Sequence, residues 1–493
     1  MSYNDNEFEF ENIPQEKFAF VQMDEKIHDK ELDTKPIGFF QDAMIRFAKN
    51  KGSVVCACIL LVLVLYAIFG PIVSNYDISE KDEYYSYVLP KLPAGIDLGF
   101  WNGCSDKQVN QQSYDYYDAI PGAIHKEKGE VEVVVANRTQ TQYKISVDSY
   151  AAVGYVEQLL TQKEYDAALA YEEETGIQLF YPIIDTSLMK CKAYKGDSNA
   201  WFLTDAKGVA QRDENGELQN IYLKDENSED GYAYYVTKKK GTQYQVRVLY
   251  SAWYTYKNGK TVSYLFGGDE FGYDIFTRMA AGARLSFTIS IAAALISLLI
   301  GIVVGALEGY YGGTFDLLME RVKDILYEIP TLIFMVLFQI YFAQKLGALF
   351  AMFMCFILFD WIGVSGTVRA QFYRFKGQEY VMAARTLGAK DSRLIFRHIL
   401  PNASGFIITV CVLDIPAIIF EEATYSYLGI VNLNSRHLTS LGTMLENGQA
   451  TLSTYPHCVF FPAIFLAIML VCFNIFGNGL RDAFNPSLRG ADE

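Results

Sequence analysis

Four carboxylates lie in or at the ends of strongly apolar stretches: Asp360, Asp414, Glu421 and Glu422. A carboxylate inside hydrocarbon is costly, so such groups face a partner or a water-filled cavity and not lipid. Two uses are open: they can line an aqueous path and meet the ammonium group of a solute, or bond to Ser, Tyr or backbone groups of neighbouring helices and hold a bundle together. Pro416, two residues after Asp414, either frees carbonyls toward a cavity or only kinks its helix. Catalytic chemistry finds little support. The soluble part offers only His125, with no nucleophile elbow, HExxH or carboxylate pair that stands out from a solvated surface. No GxxxxGK[ST] phosphate cradle and no paired Cys and His spacing occur, so neither a catalytic residue, a metal nor a cofactor is expected on this chain.

A second constellation is the segment 379–402, EYVMAARTLGAKDSRLIFRHILPN, a basic helix-forming loop between apolar runs. Glu379, Met382, Ala383 and Thr386 recur at i, i+3, i+4 and i+7, so they share one face of a short helix over 378–387. Small side chains there let another backbone approach; Gly388 is suited to a left-handed helix end, and Pro401 is expected to stop a second helical run. Such a piece fits a cleft in a partner. Alternatively, Arg385, Lys390, Arg393 and Arg397 would rest it on lipid headgroups.

These residues must be positioned by membrane helices. The chain has 493 residues, 51% hydrophobic and 20% charged, and the apolar ones are concentrated in runs. Six runs approach the roughly 20 residues that cross a bilayer: 54–73, 286–307, 329–348, 349–368, 406–420 and 458–476. Basic residues fix the expected orientation. Arg46, Lys49 and Lys51 precede the first run, seven Arg and Lys between Arg369 and Arg397 crowd the fourth connection, and Arg481 and Arg489 follow the last. Both termini and the 379–402 loop are therefore expected in the cytoplasm, which puts Asp360 toward the cytoplasmic end of its span and Glu421 and Glu422 near the external end of theirs. The connection 312–328, with Asp316, Glu320, Asp324 and Glu328 beside Arg321 and Lys323, is the one acidic exception. A formal net charge of -15 argues against nucleic-acid binding.

The expected domains are a cytoplasmic tail over 1–50, loosely attached up to about residue 35, a first helix over 51–75 that stays as an uncleaved anchor, an extracytoplasmic insert over 76–265, a membrane domain over 266–480 with its loop at 370–401, and a cytoplasmic tail over 481–493. Within the insert, 131–136, 143–147, 232–237 and 244–250 read as strands, Asn215-Gly216 and Asn258-Gly259 as hairpin turns, and 150–174 as an amphipathic helix carrying Val156, Leu159, Leu160, Tyr165 and Leu169. The expected class is therefore an all-α polytopic membrane bundle of about six helices plus an α+β insert. Tyrosines in the insert serve either a binding surface or ordinary strand packing. Of eight cysteines only Cys104 and Cys191 lie in the insert, where they are a candidate disulfide; the rest behave as small apolar residues.

The 379–402 segment resembles the EAA loop of bacterial binding-protein-dependent ABC importer permeases, through Ala383, Ala384, Gly388, Leu400 and Pro401. FGGDEFGYDIFTRMAAGARLS at 266–286, EATYSYLG at 422–429, LGTML at 441–445 and GNGLRDAFNPSLR at 477–489 are similar to other segments of the C-type oligopeptide and dipeptide permeases. Met382 departs from the motif's Glu, His398 and Leu441 from its usual aliphatic residue and Trp, and Tyr273 from a usual basic residue; Glu379, one turn earlier, is a candidate for the missing carboxylate. The resemblance implies a peptide-conducting subunit that pairs with a second permease, two cytoplasmic ATPases that hydrolyse ATP, and an external substrate-binding lipoprotein. Related permeases carry nickel, glutathione and other small ligands, and a receptor anchored by its first helix is the reading of a different class.

Overall fold

A computed structural model describes residues 38–92, 101–135, 138–228 and 230–484. The expected loose tail and the last residues of the 477–489 match lie outside them. A short amphipathic helix, α1 (Phe39–Lys49), precedes the first span; its Phe47 ring meets Phe476 edge-on at 5.6 Å. Long, apolar helices follow because their runs contain almost no charge: α2 (Lys51–Val73), α6 (Ile275–Tyr311) and α15 (His457–Phe484). Two more arise by continuation, Ala348–Lys376 from α9 (Ala348–Phe359) and α10 (Trp361–Lys376), and Asp391–Tyr427, which ends in α13 (Leu400–Tyr427).

Five helices among the described residues are thus long and apolar enough to cross a membrane, or six if one bent helix pair counts as a single span. The expected run 329–348 becomes α8 (Thr331–Leu346), whose 16 residues reach about 24 Å, short of the ~30 Å hydrocarbon. It follows α7 (Gly313–Tyr327) at a bend of 75°. Pro330 makes that bend, since it disfavours helical backbone at Ile329 and cannot donate to a preceding carbonyl. Pro401 also departs from expectation: it does not stop the helix Asp391–Tyr427 but follows directly on its π-helical turn at Leu394–Ile399, where the widened turn accommodates the missing N–H.

Between α2 and α6 the chain forms two small antiparallel sheets. One has the order β1-β3-β2, from β1 (Cys104–Val109), β2 (Ile124–Val135) and β3 (Arg138–Asp148). In the other, β7 (Gln243–Leu249) pairs with β4 (Tyr155–Thr161) on one side and with β5 (Phe180–Tyr181) and β6 (Tyr235–Lys238) on the other. The expected helix over 150–174 is half strand. Val156 and Leu160 point from β4 into the core beside Val246 and Val248, and the helix α4 (Gln162–Thr175) begins only after the Thr161–Glu164 capping box. Asn258-Gly259 caps α5 (Tyr250–Asn258) instead of turning a hairpin, with Gly259 left-handed at φ +66. Asn215-Gly216 does turn one: the Asp213 carboxylate accepts the Asn215 and Glu217 N–H groups, both at 2.9 Å. The same Asp-x-x-Gly turn recurs at Asp205 and Asp269. Several tyrosines are core pillars here: Tyr150 donates its hydroxyl to Leu89 O at 2.9 Å, and Tyr250 donates to Asp82 at 2.6 Å.

The lobe is closed at its base. Lys91 N–H donates to Tyr264 O at 2.8 Å, and Ser263 Oγ donates to Lys91 O at 2.9 Å. One step nearer the bundle, Ser74 and Thr277 hydroxyls lie 2.6 Å apart. Cys104 and Cys191 are both free: Cys104 lies on β1 opposite Asp148, whereas Cys191 is buried beside the turn at Gly208.

Candidate functional site: the coupling loop and the buried carboxylates

At the end of the bundle opposite the lobe, α11 (Glu379–Thr386) forms the short helix expected from its spacing. Val381 is fully buried and Ala384 half-buried against Leu394, Ile395 and Ile399, while Glu379, Met382, Ala383 and Thr386 are exposed together on the other face. Gly388 ends the helix at φ +82, and open space surrounds it. Leu400 packs into the same cluster, and Pro401 is exposed. The resulting tip is apolar: Tyr380, Met382, Leu387 and Phe396 are all exposed, Leu387 to 88%. The exposed Arg385, Lys390, Arg393 and Arg397 lie on the same loop.

Beneath this tip lies a bracket that sequence reasoning missed. Gly301, Gly305 and Gly309 form a stripe on α6 against which α10 packs backbone to backbone; a Cβ on Gly305 would stand 2.3 Å from Ser365 O. The G-x-x-x-G-x-x-x-G spacing was the available signal. The acidic connection after α6 is an ion-pair network. Lys323 Nζ donates to the fully buried Glu308 at 2.8 Å and to Glu320 at 2.5 Å, and Arg369 grips Asp316 bidentately at 2.5 and 2.9 Å. The carboxylates of Glu308, Asp316 and Glu320 lie within 4.8 Å of one another, and Lys323 and Arg369 offset two of their three charges.

The four carboxylates in the membrane region separate into two kinds. Glu422 is fully buried, accepting Ser286 Oγ of α6 at 2.7 Å and Ser426 Oγ at 3.1 Å, and so joins α13 to α6. Asp414, Glu421 and Asp360 are only partly buried and form an electrostatically linked group. Asp360 sits at the joint between α9 and α10, in the middle of its continuous helix and within reach of Glu421, not toward the coupling-loop end as expected.

Where the lobe meets the bundle, the loop before α6 holds Asp269, whose carboxyl is pushed up to about 6 by burial despite the N–H groups of Tyr273, Phe271 and Gly272. Arg278 is buried below it, stacked 4.3 Å over Tyr273 and donating to Ser435 O at 3.0 Å.

Residues 297–490 match the binding-protein-dependent transport system inner membrane component, and residues 38–92 match the N-terminal transmembrane domain of oligopeptide transport permease C. The oligopeptide transport system permease protein OppC of Bacillus subtilis is 44% identical over 224 residues, which are 45% of this chain and 72% of that protein. The chain belongs to this permease family. The dipeptide transport system permease protein DppC of the same organism is 38% identical over 225 residues, 45% of this permease and 69% of that protein. OppC of Escherichia coli is 36% identical, with 45% and 72% covered. A crystal structure of an amino acid ABC transporter with histidines aligns at TM-score 0.34 and 16% identity, over 41% of this permease and 92% of that chain. The coupling loop and all four carboxylates fall inside the matched 297–490, whereas Cys104 and Cys191 fall between the two matched parts. The first match stops at residue 92, beside the Lys91–Tyr264 hydrogen bond that closes the lobe.

Proposed function

We infer that this chain is the permease subunit of an ABC importer for oligopeptides or dipeptides, forming the path jointly with a second permease. The observation that carries it is the exposed small-residue helix α11 on the family's own loop, with its apolar tip facing away from the bundle. Two cytoplasmic ATP-binding subunits would clasp that tip and hydrolyse ATP, and an external lipoprotein would deliver the substrate; this chain itself binds no cofactor. Relatives named for peptide transport favour peptides over nickel or another small ligand, and a multi-helix bundle exceeds what an anchored receptor needs.

In this scheme both termini and α11 face the cytoplasm and the lobe between α2 and α6, an α+β insert domain, faces outward. There it covers the external mouth or docks the binding protein. Asp360, Asp414 and Glu421 line the path for a peptide ammonium group, with Glu422 structural. ATP-driven closure would displace α11 and rock the attached spans between states of differing peptide affinity. Glu379 supplies the carboxylate absent at Met382.

The test is affinity purification of the tagged chain in mild detergent from its native host, with mass spectrometry and labelled-peptide uptake. Recovery of a second permease, two P-loop ATPases and a lipoprotein is the expected result; recovery of this chain alone after crosslinking would overturn it. Full transport by Glu379→Gln would remove that residue's role, and full uptake after excision of the lobe would remove the lobe's.

A further inference from the structure

The loop that carries α11 is joined by the chain to two helices only. It leaves α10 at Lys376 and enters Asp391–Tyr427 through the π-helical turn. The long helix α6 has no covalent link to it, yet α6 forms the widest seam of the bundle, with α2, α10 and α13 all packed on it. Motion of the loop must reach α6 through side chains.

One side chain is placed for this. Tyr310, next to the last residue of α6, is buried against Phe372, Val381 and Leu394. Its hydroxyl donates to Asp391 Oδ1 at 2.5 Å and accepts from Arg385 Nη2 at 3.3 Å. Arg385 lies before the Gly388 turn and Asp391 after it, so a single hydroxyl spans both arms of the loop. The Arg385 guanidinium also lies 5.6 Å from the Tyr310 ring centroid. Among the described residues no ion pair joins Arg385 to Asp391 directly, and the two exposed side chains meet only at this hydroxyl. The other polar tie at this end, Lys376 Nζ to Gly309 O at 2.9 Å, fastens α6 to α10, as does the glycine stripe, while the far arm otherwise meets α6 through apolar packing of Leu394, Ile395 and Ile399.

We propose that Tyr310 is a positioning residue that passes displacement of both arms of the coupling loop to α6, so that α6 moves with the loop and not merely with α10. The proposal rests on the importer reading above. Charge-assisted hydrogen bonds at a buried hydroxyl are directional, and two of them set its position relative to both arms. Phenylalanine at 310 would keep the ring in its cluster and lose both bonds.

The complete importer, reconstituted in proteoliposomes with its ATPases and binding protein, tests this through the number of ATP molecules hydrolysed per labelled peptide transported. For Tyr310→Phe the ATPases are expected to co-purify at the wild-type ratio, while ATP per peptide rises about threefold or more, and stimulation of hydrolysis by the binding protein falls in proportion. Asp391→Ala is expected to reproduce this, and Asp391→Asn, which keeps an acceptor oxygen, to restore coupling. A merely structural tyrosine would lower assembly and transport together and leave the ratio unmoved, and an unmoved ratio overturns the proposal. If Tyr310→Phe does not assemble, the ratio for Asp391→Ala decides in the same way. A wild-type complex that hydrolyses ATP with no peptide uptake would instead sink the importer reading itself, and the proposal with it.

Discussion

Gly305→Ala is the sharpest probe of the α6–α10 seam. A methyl group there would meet Ser365 O at 2.3 Å, Val368 Cβ at 2.9 Å and Arg369 N at 3.1 Å, whereas ordinary contact begins at 3.4 Å. Two of the three obstacles are backbone, so the helices must part locally by about 1 Å, the shortfall from 2.3 to 3.4 Å. A gap of that size forfeits about a quarter to a half of each ~0.1–0.2 kcal/mol contact along the seam, and overpacking costs about 1–3 kcal/mol in total. Alanine returns about 1 kcal/mol of helix propensity, which leaves a net loss of up to about 2 kcal/mol. Gly366, on α10, is the control: nothing lies within 4 Å of its added Cβ, so Gly366→Ala carries only the propensity gain. The two substitutions should shift the unfolding midpoint of the purified chain in one fixed detergent in opposite directions, read by size-exclusion after stepwise heating. Equal shifts, or a stabilised Gly305→Ala, would refute close packing of α6 on α10.

Lys323→Met strands the buried Glu308 carboxylate and should cost about 3–5 kcal/mol in the same melt, with Glu308→Gln added to it restoring most of the loss. Asp269 gives a pH dependence of unusual sign. Because its folded carboxyl is raised to about 6, the folded chain keeps a proton that the unfolded chain has released; this contribution to stability is complete below about pH 4 and is lost as pH rises through 6. Asp269→Asn keeps the acceptor for the turn and should flatten that slope by at most about 3 kcal/mol, measured as melts between pH 4 and 7; an unchanged slope would assign it elsewhere. Tyr150→Phe leaves the Tyr264 N–H, 3.1 Å from the lost hydroxyl, without its acceptor, which costs about 1–3 kcal/mol. Limited proteolysis should find the lobe cut sooner and α6 to α15 unchanged.

The bundle was legible where hydrophobicity is continuous, as in α2 and α15, and the face of α11 was legible because small residues repeat at helical spacing. What escaped depends on three-dimensional partners. The charges of 312–328 read as an anomaly in topology, but they belong to an ion-pair network whose cations come from α7 itself and from Arg369 on α10. A carboxylate's sequence position could not distinguish Glu422, satisfied by Ser286 from another helix, from its neighbour Glu421. Prolines misled in two ways: Pro401 does not close the helix it was expected to stop, because the π-helical turn before it absorbs the missing N–H, and Pro330 bends a span that apolar content alone drew straight. In the lobe, Val156 and Leu160 suit a helix or a strand equally by spacing, and only pairing with β7 decided.

The hydrogen-bonded neck at Lys91, Ser263 and Tyr264 has a consequence for how such a chain can change. Loop-closure entropy grows only as the logarithm of loop length, and a lobe that brings its own ends together removes even that burden from the bundle. To the helices, the roughly 170 residues between the two sides of the neck are the thermodynamic equivalent of a tight turn. The part of the lobe beyond the neck can therefore be lengthened or exchanged at little entropic cost to the bundle, provided that contacts such as that of Trp101 with Phe461 of α15 are replaced.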